Sequence, residues 1–124
     1  MKIPRRNAKV VEQRGGLPPA RLHRVTDYIQ SHPDENLSLA RMAELAKLSP
    51  YHFGRLFKQS TGLTPHQYVL GERIRRAKRL LVDTHLTITE VSRQLGFASR
   101  AHFTTAFRTR IGTTPKEYRL KQAK

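Results

Sequence analysis

The fold is decided by a segment that occurs twice in this chain, as SPYHFGRLFKQSTGLTPHQYVL at residues 49–70 and as SRAHFTTAFRTRIGTTPKEYRL at residues 99–120. Nine of the 22 aligned positions are identical, and no gap is needed. The identities include two phenylalanines four residues apart, a glycine and a Thr-Pro pair. This pattern predicts an amphipathic helix that stops at the glycine, followed by a second helix that begins at the proline.

The similarity continues upstream of this segment, where the offset becomes 49. It then pairs Leu37 with Leu86, Leu39 with Ile88, Met42 with Val91 and Leu48 with Phe97. Each copy therefore consists of a short amphipathic helix, a tight turn, a helix and a Thr-Pro-capped helix. A period near 50 also occurs in repeat proteins, but two copies are too few for a solenoid. Two tandem helix-turn-helix modules fit the pattern better.

The rest of the chain also carries helical signals. Pro18-Pro19 can open a first helix that ends at His32-Pro33, and Ser38 is a plausible N-cap for the second. The predicted buried face of this second helix is Leu39, Met42, Ala43 and Ala46. Capping boxes open three further helices, at Thr64 to Gln67, Thr87 to Glu90 and Thr114 to Glu117. No stretch alternates with period two, so we predict an all-α fold of about seven helices.

The predicted organisation has four parts. They are a basic flexible leader or linker remnant (1–16), a first helix-turn-helix subdomain (17–63), a linker helix (64–83) and a second helix-turn-helix subdomain (84–124). Within the linker part, the helix from Pro65 to Asp83 would be about 28 Å long. This length approaches the roughly 34–36 Å of one turn of B-DNA, so the linker could hold the two modules at successive major grooves.

The composition points to a polyanionic partner. The 124 residues include 24 Lys and Arg against 9 Asp and Glu, which gives a formal charge of +15. Such an imbalance is typical of proteins that bind nucleic acid or an anionic membrane. The longest apolar runs stop at three or four residues and no signal peptide is evident, so we expect no membrane association and a cytoplasmic location. The absence of cysteine excludes disulfides and thiolate metal sites.

No pattern in the sequence indicates an enzyme. The six histidines show no metal-ligand spacing, and the acids lie singly apart from Asp34-Glu35. No glycine-rich phosphate loop or nucleophile elbow is present. We therefore expect no catalytic residue, no metal and no cofactor.

The phenylalanines expected in the core decide which residues of the two predicted recognition helices, about 49–60 and about 99–110, face outward. The first helix leaves Tyr51, Gly54, Arg55 and Lys58 outward; the second leaves Arg100, Ala101, Thr104, Thr105 and Arg108. Arg55 could pair with guanine and Tyr51 could pack on a thymine methyl. The capping residues Thr64 and Thr114 open helices whose free N–H groups could hold phosphate. The run from Arg73 to Arg79 is either a solvated helix face or part of a phosphate-facing set.

The sequence resembles the DNA-binding domain of the AraC/XylS family of bacterial transcription regulators, from about Leu17 to Leu120. Three stretches carry the resemblance in the first module: LARMA at 39–43, LSPYHFGRLFK at 48–58 and GLTPHQY at 62–68. ITEV at 88–91, GFASRAHFTTAFR at 96–108 and GTTPKEYR at 112–119 carry it in the second module. The stretch from 96 to 108 is the most specific of these.

The resemblance implies seven helices in two subdomains, with both third helices in the major groove of an asymmetric double-stranded DNA site. Carried over position by position, the base-reading residues are Tyr51, Gly54, Arg55, Arg100, Ala101, His102 and Thr105. The expected contacts to the DNA backbone are Lys47, Lys58, Thr64, Arg108, Thr114 and Lys116. The resemblance also implies RNA polymerase as a second partner and a bacterial, monomeric regulator, unless the chain is part of a longer one.

The chain departs from the family at two positions. Lys47 stands where the family usually has glycine, and Thr105 stands where it often has arginine. The family contains small regulators made of this domain alone and larger ones with a ligand-binding or dimerisation domain; the sequence fits either. Activation and repression also stay open, and the rival function is non-specific binding by an architectural or RNA-binding protein.

Overall fold

The computed structural model describes residues 15–35 and 37–123. This part of the chain contains no strand and seven helices: α1 (Pro19–Ser31), α2 (Leu39–Ala46), α3 (Pro50–Thr61), α4 (Pro65–Asp83), α5 (Ile88–Gln94), α6 (Arg100–Ile111) and α7 (Pro115–Gln122). The all-α prediction is confirmed. Apart from Gly15 and Gly16, the predicted basic leader lies outside the described residues. None of the described helices has the length and hydropathy of a membrane span.

Polar side chains fix where the helices begin. Ser38, Ser49 and Ser99 each accept a hydrogen bond from the backbone N–H three residues later. Because Ser49 and Ser99 are N-caps with extended backbone, α3 and α6 begin one residue after them. The predicted capping boxes are formed with bonds in both directions between Thr64 and Gln67, Thr87 and Glu90, and Thr114 and Glu117. A cap of this kind contributes about 0.5–2 kcal/mol to helix stability.

The described residues form two compact units, the first containing 15–31 with 37–69 and the second containing 32–35 with 70–123. The core of the first unit is built around Phe53 and Phe57, both 0% exposed, with ring centroids 5.4 Å apart. Tyr68, in the first turn of α4, packs edge-on against Phe57 at 5.4 Å. The other buried members of this core are Leu17, Val25, Ile29, Met42, Ala43, Ala46 and Val69.

The second unit repeats this packing. Phe103 and Phe107 are both 0% exposed, and Tyr118 in α7 packs edge-on against Phe107 at 5.5 Å. The core is completed by Ile74, Ala77, Leu81, Val91, Leu95 and Phe97. Full burial of one such side chain contributes about 1.5–3 kcal/mol, so each phenylalanine pair is a large share of a small core.

One predicted core residue lies elsewhere. Leu39 was expected on the buried face of α2, but its side chain is 43% exposed, whereas Met42, Ala43 and Ala46 are buried. Leu39 is the first residue of α2, where the helix has no preceding turn to pack beside. The helical period alone could not separate it from the buried positions.

The turn between α2 and α3 places a lysine in the left-handed region. Lys47 has φ 61° and ψ 44°, and the next residue, Leu48, donates its N–H to the carbonyl of Ala43 at 3.0 Å. This bond closes the end of α2 as a Schellman motif does. Gly96 has φ 79° at the equivalent place between α5 and α6. A left-handed conformation costs a non-glycine residue about 1–2 kcal/mol, so the first turn carries strain that the second avoids.

We predict that Lys47→Gly raises the free energy of unfolding by a few tenths to about 1 kcal/mol, because glycine adopts this conformation without strain. Thermal unfolding would then shift upward by several degrees. Lys47→Ala is the matched control, since it removes the same charge but keeps the strain, and it should give no such gain. A lower melting temperature for Lys47→Gly than for the original chain would contradict this account.

We also predict that Gly96→Ala is much more damaging than Gly112→Ala. Both glycines are left-handed, but a Cβ on Gly112 (φ 98°) meets nothing within 4 Å, whereas a Cβ on Gly96 would lie 2.8 Å from the carbonyl oxygen of Asp34. The shared strain costs about 1–2 kcal/mol, and the clash adds about 1–3 kcal/mol for Gly96→Ala alone. Urea unfolding of the two variants measures the difference; equal losses would contradict it.

Candidate nucleic-acid interface

The rotation of α3 about its axis is set by its buried phenylalanines. With Phe53 and Phe57 inward, the opposite face presents Tyr51, which is 75% exposed, and Arg55 one turn later. Lys58 is exposed on the same helix. Three of the four residues predicted to face outward from α3 are therefore exposed, whereas the fourth, Gly54, is half-buried. An arginine and a tyrosine four residues apart near a helix start can offer a guanidinium fork and an aromatic edge to neighbouring base pairs.

Gly54 lies on α3 beside these residues and is half-buried. A Cβ at this position would lie 4.0 Å from Cδ1 of Leu39, which is an ordinary van der Waals distance. The core therefore does not require glycine here. Because Gly54 has no side chain, the α3 surface is low at this position, beside Tyr51.

The outward face of α6 carries a different set of side chains. Arg100, Ala101, His102, Thr105 and Arg108 are all exposed, while Phe103 and Phe107 are buried. Thr104 was also expected to face outward, but it is half-buried. Thr104 directly follows Phe103 and lies at the edge of the core-facing side of α6. The helical period alone therefore assigned it to the outward face.

The two equivalent histidines are held differently. Nδ1 of His52 lies 2.9 Å from Oγ of Ser49, so this imidazole takes part in the cap of α3. The ring of His102 packs edge-on against Phe97, with centroids 5.6 Å apart. Sequence alone gave both histidines the same options, but the turn before each helix differs between the two copies. Phe97 provides the ring surface in the second module, where the first has Leu48.

The candidate backbone contacts fall into two kinds. Lys47, Lys58, Arg108 and Lys116 are exposed cations. The threonines Thr64 and Thr114 are instead occupied, because each hydroxyl accepts a helix N–H and each backbone N–H donates to the side chain three residues later. The main-chain donors that remain at these helix starts are the N–H groups that follow the prolines.

The capping boxes at the starts of α4 and α7 differ in charge. Gln67 closes the first and Glu117 closes the second, where the backbone N–H and the hydroxyl of Thr114 lower the pKa of the Glu117 carboxyl. Glu117 is therefore ionised at neutral pH and repels an approaching phosphate. The capping box at the start of α4 carries no such charge.

Several arginines counted as basic surface have internal partners. Nε of Arg119 donates to the carbonyl of Leu81 at 2.9 Å and thereby caps the end of α4. Nη2 of Arg73 donates to the carbonyl of Glu35 at 2.8 Å. Arg41 and Arg75 form exposed ion pairs with Glu44 and Glu72. The sequence carries no signal for the first two, since their acceptors are main-chain carbonyls that every residue has.

A buried serine, which sequence reasoning missed, supports the start of α6. Ser92 is 2% exposed, and its hydroxyl donates to the carbonyl of Ser99 at 3.2 Å. This bond ties α5 to the N-cap of α6 and so helps to place the outward residues of that helix. The only sequence feature that could have indicated this role is the position of a serine within an apolar helix face, which is a weak signal. In the described part of the chain, no group of three or more potential ligands could hold a metal ion.

Comparison with known proteins agrees with this architecture. The family described as a helix-turn-helix domain matches residues 42–121. A probable transcriptional regulator, LumQ of Photobacterium leiognathi, is 36% identical over 96 residues, which cover 77% of this chain and 39% of LumQ. The chain thus spans about two-fifths of the length of this curated relative.

Solved structures show the same fold. A transcriptional regulator of Chromobacterium violaceum described as containing an AraC-type DNA-binding domain superposes with a TM-score of 0.78, at 31% identity over 86% of this chain and 95% of that one. The DNA-binding domain of AdpA, a global transcriptional factor solved in complex with a target DNA, gives 0.79 at 30% identity, covering 82% of this chain and 91% of that one. With the tandem modules and their exposed basic helices, these matches place the chain in the AraC family of transcription regulators, as a DNA-binding domain.

Proposed function

We propose that α3 and α6 are the two recognition helices of this domain and that each enters the major groove of one half of an asymmetric DNA site. The observation that carries the proposal is the fixed rotation of both helices. Each buries two phenylalanines and turns polar or small side chains outward near its N-terminal end. Residues at that end are the ones that reach base edges in helix-turn-helix proteins.

The proposed base-reading residues are unequal between the modules. The first offers Tyr51, Gly54 and Arg55, and the second offers Arg100, Ala101, His102 and Thr105. Arg55 can form two parallel hydrogen bonds to O6 and N7 of guanine, and the low surface at Gly54 lets the helix come close. Thr105 can contact a base or a methyl group but cannot form this fork. The first module should therefore supply most of the sequence preference.

Backbone contacts would come from the exposed cations and from helix starts. We assign this role to Lys47, Lys58, Arg108 and Lys116, together with the starts of α4 and α7 at Thr64 and Thr114. The ionised Glu117 makes the start of α7 the weaker of the two. These contacts position the protein on the duplex and carry no sequence information directly.

We further propose that one chain occupies one site as a monomer, because two non-identical modules on one chain match an asymmetric sequence without a second copy. A bacterial regulator of this family meets its DNA in the cytoplasm, and RNA polymerase is the proposed partner in transcription. We assign the domain no catalytic role.

The first test is selection of bound fragments from random DNA, followed by footprinting and mass measurement of the complex. We expect an asymmetric motif of roughly two helical turns, occupied by one chain. With roughly 6–10 phosphate contacts, the affinity should fall about 10³–10⁵-fold between about 50 and 200 mM salt. A palindromic site occupied by two chains would overturn the binding mode. Equal affinity for selected and random DNA would indicate an architectural or non-specific binder instead.

The second test separates base reading from backbone contact. Arg55→Ala should cost about 1–3 kcal/mol on the selected site and relax the preference at one or two base pairs of one half. Arg108→Ala, with the same loss of charge, should weaken all sequences alike and reduce the salt slope by about one unit. Thr105→Arg should add affinity and a guanine preference in the other half. A motif that survives Arg55→Ala unchanged would show that this assignment is wrong.

A further inference from the structure

Arg73 is held differently from Arg79, which lies further along α4. It lies within the second unit and is half-buried, and its Nη2 donates to the carbonyl of Glu35 at 2.8 Å. Desolvation lowers the pKa of this guanidinium. Arg79, two turns of helix nearer the C-terminus, is by contrast exposed. Arg73 is therefore held against the protein interior by a bond that Arg79 does not make in the described part of the chain.

The guanidinium of Arg73 also lies over an aromatic ring. Its Cζ is 5.7 Å from the centroid of Phe97, a distance at which a cation is attracted to a ring face. Phe97 in turn packs against Phe103 at 5.1 Å and edge-on against His102 at 5.6 Å. Both residues belong to the first turn of α6. A continuous line of contacts thus runs from Arg73 through Phe97 to the start of the proposed recognition helix.

The turn before α6 leaves room for this arginine. A Cβ on Gly96 would lie 3.2 Å from Nη2 of Arg73, in addition to its clash with the carbonyl of Asp34. Glycine at this position therefore serves the left-handed backbone and the close approach of the guanidinium at once. Residues 34–35, Arg73 and the turn at Gly96 and Phe97 form one packed cluster, which we call the Arg73 cluster.

The first module uses the equivalent arginine differently. Arg24 precedes Arg73 by 49 residues, the offset of the upstream part of the repeat, and it donates to the carbonyl of Leu45 at 3.3 Å. Arg24 is exposed, and the turn that follows carries the side chain of Lys47. The Arg73 cluster is thus a particular feature of the second module and is not a property of both copies.

We propose that Arg73 is a positioning residue for α6: through Phe97 it sets the orientation from which Arg100, His102 and Thr105 face DNA, and it makes no DNA contact itself. This inference rests on the proposed role of α6. It also separates the arginines of α4 by role. Without it, every arginine in the basic run of this helix would be assigned to phosphate contact.

The first experiment needs no DNA. Arg73→Met keeps an unbranched apolar side chain and removes the guanidinium. Hydrogen exchange should then become at least about tenfold faster at the amides of Phe97 and Phe103, which bond to Ser92 and Ser99, while the equivalent amide of Phe53 keeps its rate. Arg73→Lys retains a cation and a donor and should restore part of the protection. Unchanged exchange at Phe97 and Phe103 in Arg73→Met would overturn the proposal.

The second experiment measures DNA recognition. In fragment selection, Arg73→Met should lose preference in the half-site that Arg55→Ala leaves intact, and the salt slope should fall by well under the roughly one unit of a lost phosphate contact. Arg79→Met is the matched control, with the same charge loss on the same helix, and it should leave the motif intact. An intact motif with a salt slope lower by about one unit for Arg73→Met would identify Arg73 as a phosphate contact and overturn the proposal. If the unmodified chain selects no motif, the proposed function fails, and the exchange rates alone decide the role of Arg73.

Discussion

The burial of two phenylalanines four residues apart on α3 and on α6 is the constraint from which the rest of the structure follows. A helix that must keep Phe53 and Phe57, or Phe103 and Phe107, inside can take only one rotation about its axis. Every other residue of that helix then has a defined direction. The tyrosine that packs on the second ring fixes the start of the next helix as well. The core thereby selects which residues these helices turn outward.

The turn that precedes each recognition helix shows how one backbone geometry tolerates different residues. Lys47 and Gly96 both have positive φ, so the conformation is common to the modules. The two positions differ in the room around the Cβ atom. At Gly96 a Cβ would meet Asp34 and Arg73, whereas Lys47 is exposed. A lysine is therefore possible in the first turn at the expense of strain, and glycine is required in the second. Repeated sequence gives repeated backbone, but the neighbours of each copy decide which substitutions it accepts.

These differences also show what the sequence could reveal. The repeat, the capping boxes and the phenylalanine spacing predict seven helices and the outward faces, because each is a local pattern with a physical cause. The burial of Leu39 and of Thr104 was predicted wrongly. Leu39 lies at the first residue of its helix and Thr104 lies at the edge of the core, and the helical period contains no information about helix ends or core edges. The partners of Arg73 and Arg119 could not be predicted, since they are main-chain carbonyls brought near by packing. The DNA contacts of individual residues stay predictions.

The type of partner that an arginine has also determines what it contributes to DNA binding at a distance. Arg41 and Arg75 face carboxylates, which cancel most of their field. Arg73 and Arg119 bond to carbonyls, which are neutral, so both keep their net positive charge while they hold the protein together. With Arg73 in its proposed positioning role, part of the formal charge of +15 attracts DNA without a contact, within the roughly 8–10 Å over which salt leaves such fields effective. The charge of these residues and their contacts are therefore separable properties. When removal of a half-buried arginine lowers the affinity for DNA, the loss identifies a DNA contact only if it differs from the loss caused by removing an exposed arginine of the same helix.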